Sequence, residues 1–397
     1  MNTILFDDHA HVSLLPLTFT RPVSEIRIGI LTITQKWEHH LNTKVSWFTQ
    51  PYLAKKYRFS AENENLLING SVCPTPALTE KIQSLKSGEI LKKDEKVLAA
   101  VVSQSEFEAE SVVKSLRLSG DSIQFSGELD IIEHPWDIYS QNHSQLVADF
   151  ELITKGRESQ QLSSTNTIIG DKIFVEKGAK VEAAVLNASD APVYIGQNAE
   201  IMEGATVRGG LAMLENSVLK MGAKIYGATT LGPHVKVGGE VNNCVIFGYS
   251  NKGHDGFLGN SVIGEWCNLG ADTNNSNLKN NYGIVKAWSY LEEDFISTGK
   301  QFCGLIMGDH SKSGINTMFN TGTVVGVSAN IFGSDFPSKL IPSYSWGGAK
   351  GFDTFMLEKS FEVAQRMMER RGIELTDIDK AILSEIYERT DQYRSYS

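Results

Sequence analysis

The sequence predicts an α/β layer domain, then a parallel β-helix, then a helical cap. The middle part rests on two observations. Eight successive six-residue steps keep an apolar residue in one register: Ile195, Ile201, Val207, Met213, Leu219, Ile225, Leu231 and Val237. Four places after most of them stands a small or β-branched residue, as at Ala199, Ala205, Ser217, Ala223, Thr229, Val235 and Val241. With 41% apolar residues overall, that register recurs by chance on the order of once in a thousand. Neither the helical nor the strand period gives six, and a hexapeptide repeat marks a parallel β-helix. Apolar residues would point inward, small ones would fill the corners, and glycines such as Gly196, Gly232 and Gly238 would turn the chain. Stacked coils then bury a core that no single repeat could bury alone.

Shorter runs flank the main one. Ile169, Val175 and Val181 precede it; Ile263 and Leu269 follow; Met307, Ser313, Phe319, Val325 and Ile331 close the series. Register slips near 182–194, 238–262 and 270–306 mark where loops leave the prism, and loops on a rigid scaffold commonly carry function.

Residues 1–155 lack the repeat. Leu66-Leu67-Ile68 and Val97–Val102 read as buried strands, with helix candidates near 51–58 and 78–86. The polar stretch Lys155–Thr167 reads as a linker. The solenoid domain is expected over 156–345 and a helical cap over 346–397. In the cap, Phe355, Leu357, Phe361, Ala364 and Met367 recur at helical spacing. Gly372 would end that helix, and Thr376 would cap a second one carrying Ile378, Ile382, Ile386 and Tyr387. Such helices would cover the open end of the coil.

Bulk properties narrow the function. A net charge of −10 gives no electrostatic footprint for nucleic acid. Cys73, Cys244, Cys267 and Cys303 show no metal or disulfide spacing and read as free thiols of a reducing compartment. Asp7 and Asp8 interrupt any secretory signal pattern, and no stretch has the length of a membrane span. A cytoplasmic protein is expected.

Chemistry is most legible between Gly248 and Gly264, a glycine-rich stretch at a register slip holding one histidine, His254. A histidine beside a cleft can accept a proton from an amine or hydroxyl at neutral pH. On the residues alone, a plain surface turn is an equal reading. Glu240 would lie one coil below and orient the imidazole or a substrate. Asn274, Asn275, Asn277, Asn280 and Asn281 could read sugar hydroxyls or simply form a polar turn.

From Glu240 to Lys279 and from Met307 to Gly326, the chain resembles the bifunctional N-acetylglucosamine-1-phosphate uridylyltransferase/glucosamine-1-phosphate acetyltransferases, nearest their archaeal-type sugar-phosphate branch. The residues carrying the resemblance are Ser250, His254, Gly259-Asn260-Ser261-Val262-Ile263, Asn277-Leu278-Lys279, and Gly308-Asp309-His310-Ser311-Lys312-Ser313-Gly314-Ile315-Asn316. The resemblance implies a left-handed parallel β-helix, a homotrimer with sites between neighbouring subunits, and acetyl-CoA as co-substrate. It makes His254 the general base that deprotonates a sugar amine. It places Asn277, with Asn275 and Lys279 nearby, at the sugar site, and Ile315 and Gly333 along the coenzyme arm. Two positions depart from the pattern: Phe257 replaces a tyrosine, and Asn242 replaces a lysine.

The N-terminal part resembles the family's nucleotidyltransferase-like domain through Leu15–Pro22, Ile28-Gly29 and Leu66–Gly70. The glycine-rich phosphate loop is replaced by Asp7-Asp8-His9-Ala10-His11-Val12-Ser13, and Ser71 stands where a metal-binding aspartate is expected. A Mg2+ site needs carboxylate oxygens, so Asp7 and Asp8 are the candidate ligands. Arg21 and Arg27 are the candidate contacts to a nucleotide such as UTP or dTTP. The resemblance thus implies N-acetylation of an amino-sugar 1-phosphate, coupled to nucleotidyl transfer. The competing readings are nucleotidyl transfer alone on a structural β-helix, a non-catalytic trimeric scaffold, and a zinc site at a subunit interface, for which the solenoid offers only His234, His254 and His310.

Overall fold

A computed structural model describes residues 2–103 and 121–394, which form two compact units. The first comprises 1–14, 20–26 and 31–134; the second comprises 15–19, 27–30 and everything from Pro135 onward.

The first unit is built on a six-stranded sheet. Asn2–Phe6 lies parallel to both Val45–Phe48 and Glu64–Asn69, and Lys96–Ser103 adds antiparallel to the latter. The two expected strands are present, and Ile4, Phe6, Leu67, Ile90 and Ala100 pack as a buried cluster. The helix expected near 78–86 runs Pro76–Gln83 with Thr75 as N-cap. A second helix, Ile33–Leu41, starts on a reciprocal capping box between Thr32 and Gln35. The helix expected near 51–58 is absent. Leu53 N bonds Gln50 O and Lys56 N bonds Leu53 O, so the segment closes as successive turns.

The second unit is a parallel β-helix with helices at its end. Its three faces are sheets of nine, ten and six strands, the last continued by the pair Asn274–Asn275 and Met318–Phe319. Every residue of the eight-step series is buried in one continuous core. So are the small residues Ala199, Ala205, Ser217, Ala223 and Thr229. Fully burying each Leu, Ile or Val is worth roughly 1.5–3 kcal/mol, and stacking supplies this repeatedly. The flanking run starts one residue earlier than expected. Ile168 pairs with inward-facing Leu186, whereas Ile169 pairs with outward-facing Asn187. Both isoleucines are 43% exposed because no coil lies below them.

The stretch 155–167 is bound to the first coil. Ser159 Oγ accepts from Val175 N, and the Gln160 side chain bonds Gly178 N and Ala179 O. Helix Pro135–Thr154 packs against the nine-stranded face. There Asn142 Oδ1 accepts from Gly29 N at 2.7 Å, Asp149 Oδ2 accepts from Ile30 N at 2.8 Å, and Thr230 Oγ1 donates to Gly29 O at 2.7 Å. This clasps residues 27–30 to the coil.

The tail forms helices Leu357–Glu369 and Asp377–Arg389, the second opened by a Thr376/Asp379 capping box. It reaches the last coil, where Tyr344 Oη donates to Leu383 O at 2.7 Å and the Tyr344 and Tyr387 rings meet edge to face. It also runs back along the solenoid, since Arg371 Nη2 approaches His234 O at 3.5 Å. Covering the open end is therefore only part of its role.

Candidate functional site

His254 sits where one face of the coil turns into the next, between strands Asn251–Lys252 and Phe257–Gly259. Its imidazole is exposed and opens into a groove of about 760 Å³. Five cations line that groove: Lys220, Lys236, Lys312, Arg370 and Arg371. No carboxylate does, among the described residues. Ile315, 69% exposed, also lines the groove.

Two features behind the groove were not foreseen. The first is a column of planar rings at the corner: His234, Tyr249, Trp266 and His310, all with φ between 59° and 64°. Non-glycine residues hold this left-handed backbone at a cost. Stacking opposes that cost: Tyr249 and Trp266 lie 4.2 Å apart at 7°, and His234 and Tyr249 lie 5.1 Å apart at 12°. The sequence signal was available, for each ring stands three places after an inward apolar residue (Leu231, Ile246, Ile263 and Met307). Tyr249 and Trp266 both line the groove.

The second is Lys252. Its neighbours in the inward column are Val237 and, one coil on, Leu269, yet a lysine occupies the place and is 2% exposed. Its Nζ donates to His254 O at 2.6 Å and Gly238 O at 3.1 Å. Burial pushes the ammonium down to about 8, with Asp255 and Asp272 opposing the shift. Lys312 is likewise lowered to about 8 by burial, and its Nζ donates to His310 O at 2.6 Å.

The expected site residues divide. His254 and Ile315 share the groove. Glu240 lies one coil below Phe257, with its carboxylate accepting from Tyr226 Oη at 2.5 Å; it does not line the groove. Asn275 faces inward and is 4% exposed. Its amide closes both ways on Gly259, accepting from N at 2.9 Å and donating to O at 3.1 Å, so it is withdrawn from any substrate. Asn277 donates to Asn260 Oδ1 at 2.8 Å, rooting the excursion 276–304 on the coil. Lys279 Nζ lies 3.4 Å from Ile284 O, within that excursion. Gly333 is exposed with φ of +106° and lies outside the groove.

In the N-terminal unit the candidate metal ligands do not fit a Mg2+ ion. Asp7 is buried, its oxygens accepting from Val23 N at 2.9 Å and Thr49 Oγ1 at 2.5 Å. Burial, opposed by those two bonds, pushes its carboxyl up to about 7. Asp8 accepts from Ala10 N and Asn69 Nδ2 and pairs with Lys96 at 3.1 Å. Burial acts against it, but the Lys96 ammonium and those hydrogen bonds hold its carboxyl below the ordinary range. Both carboxylates are thus engaged within the fold. Among the described residues, no group of three or more His, Cys, Asp or Glu side chains could hold a metal ion. Arg21 is 4% exposed, which withdraws it from a nucleotide, and Arg27 Nη1 donates to Ile30 O. The four cysteines are buried free thiols. No helix is long and apolar enough to cross a membrane, among the described residues.

Residues 3–158 match a family described as "Sugar nucleotidyl transferase". A bifunctional sugar-1-phosphate nucleotidylyltransferase/acetyltransferase of Sulfurisphaera tokodaii is 29% identical over 215 residues, 53% of this chain and 52% of that protein. A bifunctional protein GlmU of Methanococcus aeolicus is 23% identical over 215 residues, 54% of this chain and 45% of its own. The chain thus spans about half the length of these curated relatives. Among solved structures, an Arabidopsis UDP-N-acetylglucosamine acyltransferase aligns over 59% of this chain and 82% of its own, at 16% identity and a TM-score of 0.25. The chain is therefore similar over part of its length to sugar nucleotidyl transferases and to bifunctional nucleotidylyltransferase/acetyltransferases.

Proposed function

We propose that the solenoid unit transfers an acetyl group from acetyl-CoA to the amine of an amino-sugar 1-phosphate of the glucosamine 1-phosphate type. The observation that carries this reading is His254 opening into a groove that it shares with five cations and with apolar Ile315. The His254 imidazole takes the proton of the sugar amine as its nitrogen attacks the thioester carbonyl. The tetrahedral adduct then collapses with release of CoA thiolate, which a proton from the imidazolium neutralises. The cations face the phosphate groups that both substrates carry.

Nucleotidyl transfer from UTP or dTTP by the N-terminal unit is the second activity this reading includes. The match over residues 3–158 supports it. Because Asp7 and Asp8 are engaged within the fold, no metal step is assigned to them. A cytoplasmic homotrimer, with sites shared between neighbouring subunits, completes the reading by resemblance.

The test is thiol release from acetyl-CoA with glucosamine 1-phosphate as acceptor. Wild type should release thiol, and His254→Ala should lower turnover by about a hundredfold or more. Equal rates in the two proteins would remove His254 from the mechanism.

A further inference from the structure

We propose that Lys220, Lys236, Arg370 and Arg371 form the subsite that holds the phosphate of the acyl acceptor, a role that rests on His254 being the base of acetyl transfer. Lys220 and Lys236 belong to the two coils that precede His254, bound to each other through Lys220 N and Val237 O at 2.7 Å. Arg370 and Arg371 come from far along the chain, at the end of helix Leu357–Glu369. The helix lays them against the lysines, with Arg371 Nη2 reaching His234 O at 3.5 Å.

Four cations gathered in one groove of a chain with net charge −10 are not a random draw from its surface. Their company is unfavourable as it stands. Burial first, and then Arg371, Lys220 and Arg370, hold the Lys236 ammonium below its ordinary range; Glu200 is the weakest influence and the one that opposes. Burial and Arg371 likewise lower the His234 imidazole, against Glu215. A tail helix that only covered the coil end would gain nothing by adding two arginines to two lysines. A multiply charged anion converts that repulsion into attraction and ties the tail to the coil.

Position selects the acceptor over the donor. Lys236 pairs with Asn251, on the strand that leads into His254, so it lies one coil before the base. Neighbouring coils are about 4.8 Å apart, a step that suits the vicinal amine and phosphate of a 2-amino-sugar 1-phosphate. Ile315 lies on a later coil than His254, where it would meet the thioester arm. Lys312 is left out because it lies on the later coil, with Ile315.

Calorimetric titration of the full chain with glucosamine 1-phosphate, and separately with CoA, tests the assignment without requiring turnover. Wild type is compared with Lys236→Gln and with Arg370→Gln/Arg371→Gln, each checked for unchanged far-UV dichroism. Glucosamine 1-phosphate should bind at least about tenfold more weakly for each cation removed, as expected for a lost charge-assisted bond. CoA should bind within twofold of wild type, and glucosamine without phosphate should not distinguish the proteins. If CoA weakens and glucosamine 1-phosphate does not, the cluster serves the donor and the proposal is overturned. It is overturned equally if neither ligand changes. An enzyme that releases no thiol, yet loses glucosamine 1-phosphate affinity in these variants, would refute the reaction while leaving the phosphate subsite standing.

Discussion

The ammonium of Lys252 donates to the carbonyl oxygen of His254 at 2.6 Å from inside the coil. A charged side chain stands where neighbouring coils place Val237 and Leu269, so the interior gives up apolar contact to anchor the turn that carries His254. Removing such a charge in favour of a similar apolar volume is often neutral or stabilising. Lys252→Met should therefore change the thermal midpoint little, because relief of a buried charge opposes the loss of the donor to Gly238 O and His254 O. Freed of its anchor, His254 should lose about tenfold or more in kcat for thiol release, with KM for acetyl-CoA unchanged. A lowered midpoint together with an unchanged kcat would show that Lys252 only fills space.

The same lysine makes a pH prediction. Its pKa is depressed to about 8 in the fold against 10.5 for a free lysine. Between those values the unfolded chain binds more protons than the native one, so this group makes stability rise with pH. Wild type should gain stability relative to Lys252→Met as pH goes from about 8 toward 10. Parallel midpoint curves for the two proteins would contradict this.

Asp7 gives the opposite slope. Its carboxyl holds a proton up to about 7 in the fold, whereas 3.8 is its ordinary value. The native state then binds more protons between those limits, and Asp7 contributes stability that is present in acid and lost as pH rises through 7. Asp7→Asn can accept from Val23 N and donate to Thr49 Oγ1, so it keeps both bonds without the charge. Its thermal midpoint at pH 8 should exceed that of wild type by at least about 3 °C, since about one kcal/mol moves the midpoint of a mid-sized domain by 2–4 °C. The difference should shrink as pH falls and vanish only below about 4, where the unfolded carboxyl is protonated too. A midpoint below wild type at pH 8 would mean that Asp7 is ionised in the fold.

What could be read beforehand follows the reach of each signal. Inward residues such as Met213 and Leu231 were legible because a six-residue period is local and each hexad repeats the same burial. Lys252 was hidden by the slip that pairs Leu231 with Ile246 and shifts the count before residue 252. The arginines at 370 and 371 could not be placed beside Lys236, because docking of a tail helix is a long-range outcome that no period announces. Asp7 and Asp8 looked like metal ligands since residue type shows an oxygen but not whether Val23, Thr49, Ala10 or Lys96 already holds it. Asn275 misled for the same reason: the excursion 276–304 conceals that it continues the inward column of Leu258 and pairs with Phe319.

The clasp of residues 27–30 onto the coil yields a further prediction. Gly29 has φ of +73°, and a Cβ there would come within 2.5 Å of Asp149 Oδ2 and 2.7 Å of the Gln145 backbone. Helix backbone cannot retreat cheaply, and the left-handed φ is itself unfavourable for alanine. Gly29→Ala should destabilise by about 1–3 kcal/mol and raise amide exchange over helix Pro135–Thr154, while leaving the exchange of the C-terminal coils unchanged. Wild-type exchange throughout would show that the segment is not held by the helix.

Asn275 offers the sharpest separation of structure from chemistry. If its amide reads sugar hydroxyls, Asn275→Leu should raise KM for glucosamine 1-phosphate in a protein of normal stability. Its bonds to both Gly259 N and Gly259 O predict otherwise. Leucine leaves buried Gly259 N unpaired, at about 1–3 kcal/mol, while Gly259 O keeps only its bond from Ser261 Oγ. It also crowds Gly304, where an added Cβ would already meet Gly259 O and Asn275 Nδ2. The variant should unfold several degrees below wild type and lose exchange protection at residues 258–261 and 303–305 first. The fraction that remains folded should show wild-type KM. A raised KM at an unchanged thermal midpoint would return Asn275 to the substrate site.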